Sequence, residues 1–221
     1  MSDMTAPLTG RRALVTGGSR GIGAEVAADG GTAVALHADS ADPDQVAASV
    51  DEAVSALGGL DILVNNAGVA YIADAETFPL EQFDRLVAIN VRAVFVAIQR
   101  ALPHFGEGSR IINIGSINAD RVSVSGLSVY AMTKGAIAGL TRGLARELGA
   151  QGITVNNVQP GPVATDLNPE EGEFADANRQ VTALRRYGQP RDIASAVSYL
   201  AGPEAGYITG ANWNVDGGYT V

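Results

Sequence analysis

Short apolar runs rich in β-branched residues recur along the chain, separated by longer stretches in which apolar residues return every three or four positions. The first pattern is typical of strands buried on both faces, and the second of amphipathic helices. Their alternation predicts an α/β fold, with a doubly wound parallel sheet covered by helices on both sides. The predicted strands are Ala13–Thr16, Ala33–Ala38, Ile62–Asn65, Arg110–Ile114, Ile153–Val158 and Trp213–Val215.

Four helices are predicted between these strands, and no repeat or linker divides the chain, so residues 1–221 are expected to form one domain. The helix with the clearest ends has Asp42 as its N-cap and Pro43 in its first turn, runs to about Leu57, and stops at Gly58-Gly59. The other three are expected from Pro79 toward Phe105, over Val129–Leu148, and from Pro190 to about Ala201.

The stretch from Asp166 to Tyr187 is the one long segment without clear strand character. Long irregular segments in compact domains commonly cover a binding site, so this one is predicted to be a mobile substrate lid. Its early part is acidic, and these carboxylates are expected to form a solvated face rather than an acid/base pair. They are Glu170, Glu171, Glu173 and Asp176.

The composition narrows the function classes. A formal net charge of −9 and the absence of any Lys/Arg cluster argue against nucleic acid as a partner, because binding to phosphate backbones depends on clustered cations. The chain has no cysteine, which excludes disulfides, thiolate metal sites and a cysteine nucleophile. Residues 1–7 lack the features of a signal peptide, and no uncharged apolar run approaches membrane-spanning length. A soluble, cytoplasmic protein is therefore expected.

A glycine turn follows the first predicted strand. Residues 16–23 read Thr-Gly-Gly-Ser-Arg-Gly-Ile-Gly, and helix-forming residues come next. Glycine permits positive φ and close approach of the backbone to a pyrophosphate, and a helix that begins there offers unpaired N–H groups. Strand, glycine turn and helix in this order predict a nucleotide-binding site, whereas the turn alone would fit a structural βα loop. The spacing Gly-x-x-x-Gly-x-Gly differs from the common Gly-x-Gly-x-x-Gly fingerprint.

Four further motifs follow in order along the chain, namely Asn65-Asn66-Ala67-Gly68, Ser116, Tyr130-x-x-x-Lys134 and Pro160-Gly161. They fall toward the carboxyl ends of the predicted strands, where open α/β sheets bind ligands. With the glycine turn they span nearly the whole chain, and in this combination the sequence resembles the short-chain dehydrogenase/reductase family. The resemblance implies a Rossmann-type domain that forms homodimers or homotetramers and transfers hydride between a nicotinamide cofactor and a ketone or secondary alcohol. It also implies a catalytic set of Asn90, Ser116, Tyr130 and Lys134.

The proposed chemistry requires these residue types. Reduction of a ketone needs an acid within hydrogen-bond reach of its oxygen, and Tyr130 can supply that proton. A nearby cation lowers the pKa of a phenol, and Lys134, four residues later on a helix, lies on the same face. A surface pair without chemistry is the plainer alternative, but Lys134 is the only lysine among fifteen Lys and Arg residues. An arginine would suit a surface position equally well, whereas a lysine tunes a phenol differently.

The roles of Ser116 and Asn90 rest more heavily on the resemblance. Ser116 would polarise the substrate carbonyl as a preplaced donor, and Asn90 would hold a water that links Lys134 to solvent. Ser116 lies 14 positions before Tyr130, at the long end of the family's range. The other serines nearby, Ser123, Ser125 and Ser128, are expected to be loop residues, with Ser128 as a possible helix cap. His37 and His104 lack metal-ligand spacing, so no metal is expected.

Cofactor contacts are implied by the same resemblance. Arg20 precedes the second glycine of the turn, where a guanidinium can reach a 2′-phosphate, and this favours NADP(H) over NAD(H). A solvated loop arginine is the alternative. Asp39 is expected to bind adenine, and Thr165 the carboxamide. The full set is Gly17, Ser19, Arg20, Gly21, Ile22, Gly23, Asp39, Asn66, Ala67, Gly68, Tyr130, Lys134, Pro160, Gly161, Val163 and Thr165.

The connection between Gly23 and the predicted strand at Ala33 is too short for a parallel crossover, which needs at least about 10 to 12 residues. By resemblance the family places a second strand and its helix here, so about 25 to 30 residues are absent. Either the deletion is genuine, or a segment of the protein is left out of the printed chain with the numbering closed up. We favour the second, because a deletion would leave a gap of about 9.6 Å in the sheet.

Two functions from different classes remain open. The first is a reductase or dehydrogenase with a small-molecule carbonyl or alcohol substrate. The second is a nucleotide-binding regulator, because Gln159-Pro160-Gly161-Pro162 and residues 201–205 look similar to a branch of the family that includes a cyclic-di-GMP-binding biofilm-dispersal protein. The tetrad favours catalysis, since a binding module does not need Tyr130. Loop 117–127 and the lid would form the substrate pocket, whose ligand the sequence leaves open.

Overall fold

A computed structural model describes residues 8–28 and 34–221. Its five strands are β1 (Ala13–Val15), β2 (Ile62–Asn65), β3 (Arg110–Ile114), β4 (Thr154–Pro160) and β5 (Asn212–Val215). The α-helices of the described ranges are α1 (Gly21–Ala28), α2 (Pro43–Leu57), α3 (Leu80–Val87), α4 (Ala93–Ala101), α5 (Ser128–Leu148), α6 (Glu173–Val181) and α7 (Pro190–Ala201).

The five strands form one parallel sheet in the order β1-β2-β3-β4-β5. Apolar side chains of β2, β3 and β4 point alternately to the two faces and are buried on both. Helices α2, α4 and α5 cover one face, and α1 and α7 cover the other. The predicted doubly wound α/β architecture is confirmed, and all the carboxyl ends of the strands meet at one edge of the sheet.

Helix α2 has the ends that its sequence predicts. The Asp42 side chain accepts hydrogen bonds from the backbone N–H groups of Asp44 and Gln45, and Pro43 takes the first position, where no N–H is needed. Gly58 ends the helix at a φ of 72°, a left-handed conformation that glycine adopts without steric cost. Local capping chemistry therefore fixes this helix.

The helix expected from Pro79 toward Phe105 is interrupted. A π-helical turn at Ala88–Arg92 separates α3 from α4, and a 3₁₀ turn follows at Leu102–His104. By length and composition alone, Leu80–His104 could cross a membrane, and it is the one such segment in the described part of the chain. It packs between α2 and α5 over the sheet, a position that accounts for its apolar face.

Two expectations for the later helices need correction. Ser128 does not cap α5, because it is already inside the first turn, and Leu127 precedes the helix without a side-chain cap. The segment 166–187, expected to be irregular, contains α6. That helix places Ala175 and Asn178 in the interior and leaves the predicted acidic residues exposed, as expected for a solvated face.

The strand predicted at Ala33–Ala38 does not form over residues 34–38, which have no regular secondary structure and pair with no described strand. Strand β1 pairs only with β2, so it is the edge of the sheet. Residues 34–38, β1 and the glycine turn that follows β1 all line a cavity of about 1230 Å³. Residues 29–33 of the short connection lie outside the described residues. Residues 34–38 have the composition of a strand, but they remain unpaired because no neighbouring strand is available to them in the described part of the chain.

Candidate functional site

The glycine turn between β1 and α1 has the tight geometry that nucleotide turns require. Gly17 has a φ of 65°, and a Cβ there would lie 2.9 Å from the Ala67 Cα. A Cβ on Gly23 would lie 2.3 Å from the Gly17 carbonyl oxygen. Neither position can hold a larger residue without movement of backbone, so these glycines are fixed by steric contact.

Asn66 ties this turn to the loop after β2. Its Nδ2 donates to the carbonyls of Thr16 and Gly17, at 3.0 and 3.1 Å. In return the Thr16 hydroxyl accepts from the N–H groups of Asn66 and Ala67, at 3.0 and 3.1 Å. Thr16 was predicted to end the first strand and to begin the glycine turn, but it was given no contact in the site. Its place directly before the glycines is the signal that could have identified it.

Asn90 lies in the π-helical turn and holds the next part of the same loop. Its Oδ1 accepts from the N–H of Val69, and its Nδ2 donates to the Val69 carbonyl, both at 2.9 Å. A further bond runs from Nδ2 to the Thr133 hydroxyl at 3.1 Å. π-Helical turns are often found at functional sites, and this one directs a buried amide at the loop. Neither the π-helical turn nor Thr133 as a partner was predicted from the sequence.

Lys134 is buried against the end of β3. Its Nζ donates to the Ile114 carbonyl at 3.0 Å and lies 5.7 Å from the centre of the Tyr130 ring. A Cβ on Gly68 would lie 3.5 Å from both this Nζ and the Asn90 Oδ1, so three predicted site residues converge on one point. Burial lowers the pKa of Lys134 from 10.5 to about 8.

Tyr130 faces Ser116, and its pKa moves in the direction opposite to the expected one. Burial raises the pKa of the phenol, and a hydrogen bond with Ser116 opposes that rise. Lys134 is not among the groups that shift the Tyr130 pKa, and its nitrogen donates to the Ile114 carbonyl instead. The expected lowering of the Tyr130 pKa by Lys134 is therefore wrong.

The orientation of Ser116 follows from its neighbour Asn118. The Ser116 oxygen accepts from the backbone N–H of Asn118 at 3.1 Å and from its Nδ2 at 3.2 Å. A hydroxyl has two acceptor positions and one donor, so its hydrogen is left to be donated. That donor is aimed at the Tyr130 side of the site. Asn118, two residues beyond Ser116, was not singled out from the sequence.

The remaining predicted contacts come from the loop after β4. Gly161 packs against β5, where a Cβ would lie 2.6 Å from the Asp216 Cα. Pro160 ends β4 and Val163 is buried, while Thr165 reaches the glycine turn, with its methyl group 3.4 Å from the Cβ position of Gly21. The loop thus closes the site from the side opposite to Asn66.

The structure does not place Asp39, Ser19 and Arg20 beside the predicted residues around Tyr130 and Lys134. Asp39 is exposed, and its carboxylate accepts from the Ala41 N–H in the turn before α2. The large cavity, lined by Ser19 on one side and by His37 and Ala38 on the other, separates Asp39 from the glycine turn. Arg20 is exposed, and Ile22 packs on the α7 side of the sheet. The structure thus brings together the predicted residues around Tyr130 and Lys134 but leaves Asp39 and Arg20 exposed and apart from them.

A row of asparagines underlies the site, and no sequence pattern had indicated it. Asn65, Asn113, Asn157 and Asn212 occupy one register level across β2 to β5. The Asn65 amide donates to Asn113 at 2.9 Å, and the Asn157 amide donates to Asn212 at 2.8 Å. Asn113 donates to the hydroxyl of Thr141 on α5, at 2.9 Å. Thr141 is two turns beyond Lys134, so this row fixes the helix that carries the reactive residues.

Comparison with known proteins identifies close relatives over the whole chain. A family model described as Enoyl-(Acyl carrier protein) reductase matches residues 13–220. The chain is 41% identical to the cyclic-di-GMP-binding biofilm dispersal mediator protein of Escherichia coli strain K12, over 235 residues that cover 96% of this chain and 98% of the relative. That alignment is longer than the 221 residues of this chain, so the relative carries residues that this chain lacks.

Two solved structures are similar in fold as well as in sequence. A short-chain dehydrogenase/reductase from Serratia marcescens is 50% identical with a TM-score of 0.94, covering 97% of this chain and 100% of that one. A short chain dehydrogenase from Burkholderia cenocepacia, solved in complex with NADP, is 45% identical with a TM-score of 0.95 and the same coverage. The resemblance inferred from the motifs therefore extends to the complete fold.

Proposed function

Because the chain belongs to the short-chain dehydrogenase/reductase family, we propose that it transfers hydride between NADP(H) and a ketone or secondary alcohol, with Tyr130 as the acid/base. The observation that carries the proposal is the convergence of Ser116, Tyr130 and Lys134 at the carboxyl edge of the sheet, next to a glycine turn with no room for a side chain. NADP is favoured over NAD by the NADP-bound relative and by Arg20.

The cofactor would be held by the glycine turn, by Asn66 and Gly68, and by the loop from Pro160 to Thr165. The fit is supported by the bare backbone that Gly17 and Gly23 present, which a Cβ would fill. When bound, the nicotinamide supplies or accepts the hydride. The protein's part is to orient the carbonyl and to move the proton.

In the reductive direction the Tyr130 hydroxyl delivers its proton to the carbonyl oxygen. Its raised pKa keeps the phenol protonated at neutral pH, the form needed for a general acid. The Ser116 hydroxyl donates to the same oxygen as charge develops there. Lys134, held by the Ile114 carbonyl, supplies a positive charge near the phenol while it is protonated, and Asn90 keeps the adjoining loop in place.

This proposal predicts that Tyr130→Phe abolishes turnover. Loss of the general acid should lower kcat about 10²- to 10⁴-fold, while NADPH binding stays near the parent value. The measurement is loss of reduced-nicotinamide absorbance with a panel of ketones, run with NADPH and with NADH. Tyr207→Phe is the matched control, since Tyr207 is fully exposed and outside the site. Equal turnover by the Tyr130 variant and its control would refute the assignment.

The regulator reading is favoured by one observation, the 41% identity to a protein described as binding cyclic-di-GMP. It is tested on the same preparation by titration with cyclic-di-GMP. Oxidation of NADPH by some ketone supports the enzyme. No oxidation with any ketone, together with saturable cyclic-dinucleotide binding, would replace it with the regulator.

We also propose a cytoplasmic homodimer or homotetramer. Strand β5 is the second edge of the sheet, and its residues are only partly buried. Trp213 on this strand stacks with Tyr199, which is 46% exposed, so an aromatic surface is available for a second copy. Sedimentation equilibrium of the purified chain measures the state directly, and a monomer at all concentrations would contradict the proposal.

A further inference from the structure

Gln159 is a fully buried polar residue near the end of β4, and the proposed chemistry gives it no role. It comes directly before Pro160-Gly161, and it follows Val155 and Asn157 on the face of the sheet that α5 covers. An apolar side chain could pack at such a position without any hydrogen-bond partner, whereas a buried amide is costly unless it is paired. The amide of Gln159 is therefore best explained by the groups that it binds.

The side chain of Gln159 uses both of the hydrogen atoms that an amide can donate. Its Nε2 donates to the Asp120 carboxylate at 2.6 Å and to the Asn214 Oδ1 at 2.7 Å. Its Oε1 accepts from the Asn157 Nδ2 at 3.2 Å. Asn157 and Asn214 belong to β4 and β5, so Asp120 is the partner that lies outside the sheet. A hydrogen bond to a charged acceptor is roughly twice as strong as one between neutral groups, so the bond to Asp120 is a firm attachment.

Asp120 ends the short turn that begins at Ser116, and we call residues 116–120 the serine turn. It contains a single 3₁₀ turn at Ile117–Ala119, with Ser116 as its N-cap and Asp120 as its C-cap. The Ala119 N–H donates to the Ser116 carbonyl at 3.0 Å, and the Asp120 N–H donates to the Ile117 carbonyl at 2.9 Å. So few internal hydrogen bonds do not make a turn rigid. The position of the serine turn therefore depends on contacts from outside it.

Strand β4 supplies such contacts at both ends of the serine turn. Directly before the turn, the Gly115 N–H donates to the Val158 carbonyl at 2.7 Å. The Asn157 amide packs on the same glycine, where a Cβ would lie 2.6 Å from the Asn157 Oδ1. At the far end of the turn, Gln159 binds the Asp120 carboxylate. Three consecutive residues of β4 therefore hold the serine turn at its start and at its end.

We propose that Gln159 is a positioning residue for hydride transfer, which keeps Ser116 in place beside Tyr130 by fixing Asp120 at the far end of the serine turn. The inference rests on the proposed function, in which the Ser116 hydroxyl donates to the substrate carbonyl oxygen. The Ser116 oxygen accepts from the backbone N–H and from the Nδ2 of Asn118, within the same turn. Movement of the turn therefore displaces the hydroxyl, and a displacement of about 1 Å can lower a rate about 10²-fold.

The test reverses the direction of the hydrogen bond between Gln159 and Asp120. Gln159→Glu keeps the shape of the side chain but replaces the donor with an acceptor that faces the Asp120 carboxylate. For a ketone that the parent reduces, we expect kcat to fall about 10- to 100-fold, with the KM for NADPH within about twofold of the parent. Gln159→Glu combined with Asp120→Asn supplies the donor from the other side and should return kcat to within about threefold of the parent. The contact with Asn214 changes equally in the single and the double variant, so the recovery isolates the bond to Asp120.

Two further variants complete the design. Gln151→Glu is the matched control, because Gln151 is exposed before the start of β4, at the end of that strand opposite to Gln159, and it gains the same charge. Asp120→Ala removes the acceptor without placing a carboxylate in the interior, so it is informative even if Gln159→Glu fails to fold. It should lower kcat about tenfold, whereas the control should keep the kcat of the parent.

Amide hydrogen exchange measures the attachment of the serine turn independently of turnover. The Asn118 N–H bonds to the Ser116 oxygen, so its exchange reports whether the turn is held. We expect it to be at least about tenfold faster in Gln159→Glu and in Asp120→Ala, and close to the parent rate in the double variant.

The outcomes separate this inference from the proposed function. Absence of ketone reduction by the parent would overturn the proposed function, and with it the catalytic part of the role of Gln159. In a parent that reduces ketones, unchanged Asn118 exchange in the Gln159 and Asp120 variants would overturn the positioning role alone. So would a kcat of Gln159→Glu equal to that of Gln151→Glu, or losses that simply add in the double variant.

Discussion

Lys134 shows how function and stability oppose each other at a single residue. The only lysine of the chain is buried, and it has one carbonyl as its partner. A buried cation with so little compensation costs free energy, and the lowered pKa of about 8 records that cost. A residue retained for stability would be apolar here, so its charge is best explained by the site.

The pKa predicts a pH-dependent stability. Folding favours neutral Lys134, so the penalty is complete below about pH 8 and disappears as the pH rises to 10.5, where the unfolded chain also loses the proton. Lys134→Met should therefore have a higher free energy of unfolding than the parent at pH 7. Removal of the buried charge raises it by on the order of 3 kcal/mol, and loss of the hydrogen bond lowers it by about 1 kcal/mol. The difference should shrink toward pH 10, as measured by urea unfolding at several pH values. A constant difference across that range would contradict the assignment.

Ser116 is expected to act through its free hydroxyl hydrogen. Ser116→Ala removes the donor and should lower kcat about 10²-fold with little change in KM, because the interaction strengthens only as charge develops on the oxygen. Ser195→Ala is the control, since the exposed Ser195 hydroxyl bonds to the Arg191 carbonyl within α7, outside the site. Steady-state kinetics of both variants decides the point, and a loss confined to KM would argue for substrate binding alone.

At the scale of elements, the lid is joined to the rest of the site by buried tyrosines. The Tyr219 hydroxyl pairs with Ser123 at 2.7 Å and donates to the Asn178 Oδ1 of α6 at 3.2 Å. Asn178 in turn donates to the Tyr187 hydroxyl at 3.1 Å. Tyr187 donates to Asn168 at 3.4 Å. This network links the Ser116 loop, the end of the chain and both ends of the lid, so the segment predicted to be mobile is tethered from within.

Removal of the central hydroxyl should loosen that tether. Tyr219→Phe leaves the buried Asn178 Oδ1 without its donor, at a cost of about 1 to 3 kcal/mol. We expect faster proteolysis within residues 166–187 and a raised KM for the ketone, with Ser116 and Tyr130 intact. Mass spectrometry of the early fragments locates the cuts. Cleavage that begins elsewhere would show that the network does not hold the lid.

At the scale of the molecule, the sheet has three interior strands, β2 to β4, and its edge at β1 is not paired with any further described strand. We expect the amide hydrogens of β2, β3 and β4 to exchange slowest, because they are buried and paired on both sides. Within β1, the Thr16 amide, which bonds to Val64, should be protected, and those of Ala13 and Val15 should exchange quickly. Native-state hydrogen exchange resolved by residue tests this. Equal protection of the Ala13, Val15 and Thr16 amides would mean that the edge of β1 is covered.

The sequence was most informative where local chemistry decides the outcome. The ends of α2 are fixed by capping at Asp42, Pro43 and Gly58. The apolar runs of β2 and β3 predicted the first and last residue of each strand correctly. It failed where long-range packing decides. Several features depend on partners far away in the chain, namely the π-helical turn around Asn90, the bonds of Thr16 and Thr133, and the helix inside the predicted lid.

The sequence by itself determined the family and the parallel α/β sheet and singled out Tyr130 and Lys134 as the candidate pair, because strand periodicity, glycine spacing and the Tyr130-x-x-x-Lys134 interval are local patterns. Only the tertiary structure decided how that pair is charged and what stands beside β1. The pKa of Lys134 depends on burial between α5 and β3, and the failure of residues 34–38 to form a strand depends on a neighbour that is absent. Hydrogen-bond ladders and desolvation arise between segments, so no pattern within one segment can report them.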